Sequence, residues 1–304
     1  MGGSTARPLG SAAETFTALG GDGVELHCER VGSGPPLLLS DGLLCEGHVW
    51  KYLVPELFSD WECLHWHYPG HGESAEPPPW SELSPERLAD DAAAVAESAG
   101  AESLVAVGHS LGVQVSLELW HRHPELVRAL ILVCGAPGRI VESFHQSALL
   151  EHLIPLLGVA ARFLPEQTST LWRKIPFGAL MRPALLTGEV NPRLVRTRDL
   201  ADYFARLGRV DFRVALSLLE SFGRHDATPY LERIDVPTLV VAGAEDSFTP
   251  PARSSEMARE IPGAELMLVP GGTHSLPIER PELVNLRIER FLNERLPSTN
   301  RPPR

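Results

Sequence analysis

The chain has little cysteine, no basic run and no clean apolar stretch of membrane length. Its four cysteines, Cys28, Cys45, Cys63 and Cys134, include no C-x-x-C pair, which removes the usual zinc and dithiol signatures. They lie in or beside apolar segments, where free cysteine acts as a small buried hydrophobe. A reduced, cytoplasmic compartment is therefore expected, although an even number leaves one disulfide open. The chain has 27 basic and 39 acidic residues, a net charge of −12, with no Lys/Arg-rich stripe. That argues against nucleic acid and anionic membrane surfaces as partners. The most apolar stretch, 148–164, carries Glu151, His152, Pro155 and Arg162 and does not read as a membrane span. The first 14 residues are rich in Gly, Ser and Ala, without the apolar core of a signal peptide. No Walker loop occurs, and Gly32-Ser33-Gly34-Pro35 lacks the helix that a dinucleotide-binding glycine cluster opens.

What is present suits a typical globular chain. With 304 residues, 43% hydrophobic and 22% charged, the chain can form one large α/β domain or two ordinary ones. Strand signals fall at Val24–Arg30, Leu37–Leu39, Cys63–Trp66, Leu104–Val107, Ala129–Val133, Thr238–Ala242 and Leu266–Val269. The first alternates apolar and polar residues and reads as an antiparallel edge strand; the others are continuous apolar runs, expected of parallel strands covered on both faces. Helical patterns lie between them, one opened by Ser84 as N-cap and Pro85 as the first helical residue. This alternation predicts an α/β fold with a mostly parallel central sheet and helices on both faces. From Gly138 to Arg224 there is no strand signal, only helical pieces divided by Pro155, Pro165, Pro176, Pro183 and Pro192. Such an interruption reads as a helical cap inserted over the ligand edge of the sheet. The chain thus divides into a mobile tail (1–13), a core (14–138 and 225–296), a cap (139–224) and a second mobile tail (297–304).

The chemistry concentrates in three loops. Gly108-His109-Ser110-Leu111-Gly112 has the form G-x-S-x-G, follows a strand and opens a helix, the setting of a nucleophile elbow. A serine needs a base, and the base an orienting acid. His274 lies in the loop after the last strand, and Asp246 in the loop after the preceding one, so both end at the edge where Ser110 stands. Glu245 is the neighbouring rival for the acid.

On these motifs the chain resembles the α/β-hydrolase superfamily from about Val24 to Leu296. They are the elbow, the G-x-x-D-x-x-x-P loop Gly243–Pro250 and the final Gly-x-x-His of Gly271–His274, in the chain order Ser, Asp, His. The resemblance implies Ser110 as nucleophile, His274 as general base and acid, and Asp246 as orienting carboxylate. It also implies an oxyanion hole from the backbone N–H groups of Leu111 and Leu43. Relatives begin the second oxyanion loop His-Gly where this chain has Asp41-Gly42, and read Asp where it has His67. An exchanged pair is expected, with Asp41 accepting a hydrogen bond from His67. The implied activity is hydrolysis of an ester of a small to medium apolar acyl substrate, with no cofactor. Alternatives on the same triad are C–C bond, lactone or thioester hydrolysis, acyl transfer, perhydrolysis, or a ligand-binding receptor on a hydrolase scaffold. A metal at His65-x-His67-x-x-x-His71 is weighed and set aside, since a serine triad needs none. Trp50 reads as core, Asp226 as a helix cap, and Phe177, Leu180, Met181 and the 149–157 stripe as cap core or substrate lining.

Overall fold

A computed structural model describes residues 13–138, 156, 158–175 and 190–296, without the side chains of 200, 202 and 205–207. The expected tails beyond these bounds, Phe177, Leu180, Met181 and the 149–157 stripe apart from Leu156 lie outside the described residues.

Among the described residues one sheet holds eight strands: β1 (Glu14–Leu19), β2 (Glu25–Val31), β3 (Pro36–Ser40), β4 (Glu62–Trp66), β5 (Leu104–His109), β6 (Val127–Val133), β7 (Thr238–Gly243) and β8 (Glu265–Val269). Their spatial order is β1-β2-β4-β3-β5-β6-β7-β8. β1, β2 and β4 pair antiparallel, and the ladders from β4 across to β8 are parallel. Helices are α1 (Val54–Leu57), α2 (Pro85–Ala99), α3 (Leu111–Arg122), α4 (Pro165–Arg173), α5 (Thr197–Leu207), α6 (Phe212–Arg224), α7 (Pro251–Glu260), α8 (Leu276–Glu279) and α9 (Pro281–Arg295).

The antiparallel strand read at Val24–Arg30 is present as β2, but it is not the edge. β1 covers it, pairing Phe16 with Cys28 and Thr17 with His27. Ala13, assigned to the tail from sequence, is already buried in the core.

Period-two alternation sorts the parallel strands into two cores. Leu38, Leu64, Ala106, Leu130 and Val240 join Leu88, Ala92 and Val95 of α2 and Val113, Val115 and Leu117 of α3. Leu37, Leu39, Val105, Val107, Ile131 and Val241 face the other way, onto Val284, Ile288 and Phe291 of α9. α2 forms as its caps predict: the Ser84 hydroxyl accepts from Arg87 N–H at 3.3 Å, Pro85 leads, and Gly100 closes it in the left-handed conformation. Between β6 and β7 the described chain is helical. Asp199 of α5 is buried and accepts from Lys51 Nζ (2.6 Å) and Tyr52 Oη (2.9 Å), tying that region to the core.

Candidate active site

Three loops after parallel strands must end at one edge of the sheet, and they do. Ser110 joins β5 to α3 with φ 55° and ψ −116°, a conformation that non-glycine residues rarely adopt. Close packing holds it. A Cβ on Gly108 would strike the Gly112 carbonyl, and one on Gly112 the Ser40 carbonyl, so both motif glycines are fixed by sterics.

His274 Nε2 lies 2.9 Å from Ser110 Oγ, and its Nδ1 lies 2.9 Å from Asp246 Oδ2. Asp246 is buried; its Oδ1 accepts from the N–H groups of Phe248 and Thr249, and the Thr249 hydroxyl is 2.8 Å from Oδ2. Burial acts to raise the Asp246 pKa, but the His274 charge and these hydrogen bonds prevail and hold it below the usual carboxylate range. Glu245, the rival, is exposed. The Phe248 ring stacks on the His274 imidazole with centroids 5.1 Å apart.

The loop after β3 passes beside the serine. A Cβ on Gly42 would lie 3.1 Å from Ser110 Cβ, so the chain entering Leu43 runs against the nucleophile. Leu111 is the first residue of α3, and an N–H there has no preceding helical carbonyl to bond.

Asp41 is paired, but not with His67. Its Oδ2 accepts from His65 Nε2 at 2.8 Å and from Gly47 N–H at 2.7 Å, and its Oδ1 accepts from Trp50 Nε1 at 2.7 Å. The register sets Leu39 beside His65, so a longer β3 would set Asp41 beside His67. However, β3 ends at Ser40, and His67 is held elsewhere: its Nδ1 accepts from Glu73 N–H at 3.0 Å and its carbonyl from Ser74 Oγ at 2.7 Å. Burial opposes charge on both partners. Even so, His65 holds the Asp41 carboxyl low and Asp41 holds the His65 imidazole high, each favouring the charged form of the other. Trp50 is core, as read, and also a donor to this carboxylate. Asp226, read as a helix cap, instead closes a local turn: its Oδ1 accepts from Thr228 N–H at 3.0 Å, and Ala227 holds the N-cap position of the helical turn that follows.

Two neighbours went unassigned in the sequence. His109 is buried and donates from Nε2 to the His274 carbonyl at 3.1 Å; burial, then the His274 charge, lower its pKa to about 4. Thr249 sits inside the acid-loop motif just before Pro250, which was its only signal. All four cysteines are buried and free.

The sequence profile of the alpha/beta hydrolase fold matches residues 35–281, and the chain belongs to that family of hydrolases. It is 28% identical over 269 residues to RutD of Agrobacterium fabrum, a protein named for carbamate hydrolysis, covering 88% of this chain and 97% of that one. It is 28% identical over 231 residues to a pimeloyl-[acyl-carrier protein] methyl ester esterase of Neisseria meningitidis, covering 75% and 67%. An esterase structure from Thermogutta terrifontis superposes with a TM-score of 0.73 at 23% identity, over 93% of this chain and 98% of that one. No helix among the described residues is long and apolar enough to cross a membrane.

Proposed function

We propose that the protein is a serine hydrolase of the carboxylesterase kind, acting on esters of small to medium apolar acyl groups. The observation that carries this is the continuous chain of contacts from Ser110 Oγ through His274 to Asp246, both at 2.9 Å. In this reading Ser110 passes its proton to His274 Nε2 as Oγ bonds to the ester carbon. The carbonyl oxygen, now an anion, sits against the N–H groups of Leu111 and Leu43. His274 then gives the proton to the departing alkoxide, leaving an acyl-enzyme. Water loses a proton to His274, attacks the acyl carbon, and the acid leaves as Ser110 regains its hydrogen. Asp246 keeps His274 in the tautomer this needs.

In this reading the described helices between β6 and β7 belong to a cap over this edge, a role supported by the Asp199 tie. The free, buried thiols fit a reducing cytoplasm. RutD's name favours including a carbamate beside esters, thioesters and lactones in a substrate panel, since the same cycle opens each.

The test is labelling with a fluorophosphonate together with turnover of a short p-nitrophenyl ester. One adduct on Ser110 is expected, and Ser110→Ala should lose both the adduct and about 10³–10⁶ in kcat. Wild-type turnover by Ser110→Ala refutes the mechanism, whereas labelling without turnover favours a ligand-binding receptor.

A further inference from the structure

Beyond the Ser110–His274–Asp246 set, another buried carboxylate reaches the histidine loop. Glu279 ends α8 and is 4% exposed. Its Oε2 accepts from Thr273 N–H at 2.8 Å, and its Oε1 accepts from the Thr273 hydroxyl at 2.6 Å. The same Oε1 accepts from the backbone N–H of Asn191 at 2.6 Å, 88 residues away in the chain. Asn191 in turn donates its side-chain Nδ2 to the Gly271 carbonyl at 2.8 Å. One carboxylate thus holds the residue before His274 by both of its donors, and binds that loop to the segment running between β6 and β7.

We propose that Glu279 is a positioning residue for His274, and that Asn191 couples the placement of the base to the cap segment. This rests on the hydrolase reading of Ser110. The imidazole must present Nε2 to Ser110 while Nδ1 meets Asp246, so its backbone cannot slide. His109 and Cys134 add neutral contacts, to the carbonyls of His274 (3.1 Å) and Thr273 (3.8 Å) and, for His109, to the His274 ring. Glu279 supplies the charge-assisted bonds. A displacement on the order of 1 Å at a reacting group can cost about 100-fold in rate. Movement of the segment at Asn191 therefore reaches the base directly, without touching Ser110 or Asp246.

Glu279→Gln separates these contacts. With its amide oxygen kept toward Asn191 and the Thr273 hydroxyl, the new NH2 faces the Thr273 N–H, donor against donor. Kinetics on a p-nitrophenyl ester should show kcat down about 10–100-fold with KM within about two-fold, in protein whose folded fraction matches wild type. Asn191→Ala, which keeps the backbone N–H but loses the Gly271 bond, should lower kcat by about 3–10-fold with KM again held. The double variant should lose less than the product of the two. Unchanged kcat in folded Glu279→Gln overturns the positioning role, and multiplicative losses overturn the coupling. Should Glu279→Gln fail to fold, Asn191→Ala decides: unchanged kcat overturns the proposal and lowered kcat at constant KM supports it. Fluorophosphonate labelling of Ser110 in the wild type separates these outcomes from failure of the hydrolase reading itself.

Discussion

Asp41 and His65 form a buried hydrogen-bonded pair, Oδ2 to Nε2 at 2.8 Å, with side chains 2% and 0% exposed. Asp41 also takes the Gly47 N–H and the Trp50 indole N–H, so this one carboxylate gathers the loop that carries Leu43.

Removing either partner leaves a buried polar group without its hydrogen-bond partner. Asp41→Asn should cost about 1–3 kcal/mol of stability, and His65→Gln a similar amount, while Asp41→Asn/His65→Gln recovers part of the loss. Urea unfolding of the three variants measures this. Additive losses would show that the pair is not coupled.

Acid should unfold the protein steeply. Burial is the leading cause that depresses the pKa values of His67, His71 and His109, to about 2, about 4 and about 4, from an ordinary 6.5. A group with a depressed folded pKa contributes stability above its unfolded pKa and loses it as pH falls toward the folded one. The proton uptake on unfolding at these groups should rise from about 1.5 at pH 6.5 to between two and three near pH 5 and fall back to about two at pH 4. His65, raised by Asp41 against its burial, acts oppositely, losing its contribution as pH rises through its folded pKa. Denaturant midpoints measured across pH test this, and His71→Gln should reduce the slope by about one proton. A flat profile from pH 6.5 to 4 contradicts it.

The thiols should be inert in the native protein. Burial pushes Cys28 and Cys63 up to about 12, and Cys45 and Cys134 upward as well, and the thiolate is the reactive form. Iodoacetamide should give no adduct natively and four in denaturant, counted by mass. A native adduct at Cys45 would show that the loop after β3 opens.

Thr249→Val removes a hydroxyl 2.8 Å from Asp246 Oδ2 and 2.9 Å from the Cys134 carbonyl. Ester turnover should fall about 10-fold in kcat with KM little changed, because the loss falls on orientation of the acid rather than on substrate binding. A rise in KM alone would assign Thr249 to substrate contact instead.

Much of this architecture was legible along the chain. The seven strand segments read from sequence are present, because continuous apolar runs between turn residues leave little choice of state. That Ser110, His274 and Asp246 meet was legible too, since parallel strands deliver their following loops to one edge. β1 was not. Glu14-Thr15-Phe16-Thr17-Ala18-Leu19 is short, adjoins a Gly/Ser-rich stretch and exposes four of its six residues, so its pairing with β2 is a tertiary fact. The partner of Asp41 was missed by two residues, because alternation names the face of β4 but not where β3 stops. Glu279 carried no signal: its value lies in reaching Asn191.

The backbone at Ser110 has a bearing on laboratory evolution. At φ 55° and ψ −116° a side chain costs on the order of 1–3 kcal/mol, and glycine escapes most of it. Ser110→Gly should therefore withstand heat better than Ser110→Ala. A library enriched for thermal survival alone would drift toward a hardier chain that has lost its nucleophile, so any such selection needs turnover scored in the same round.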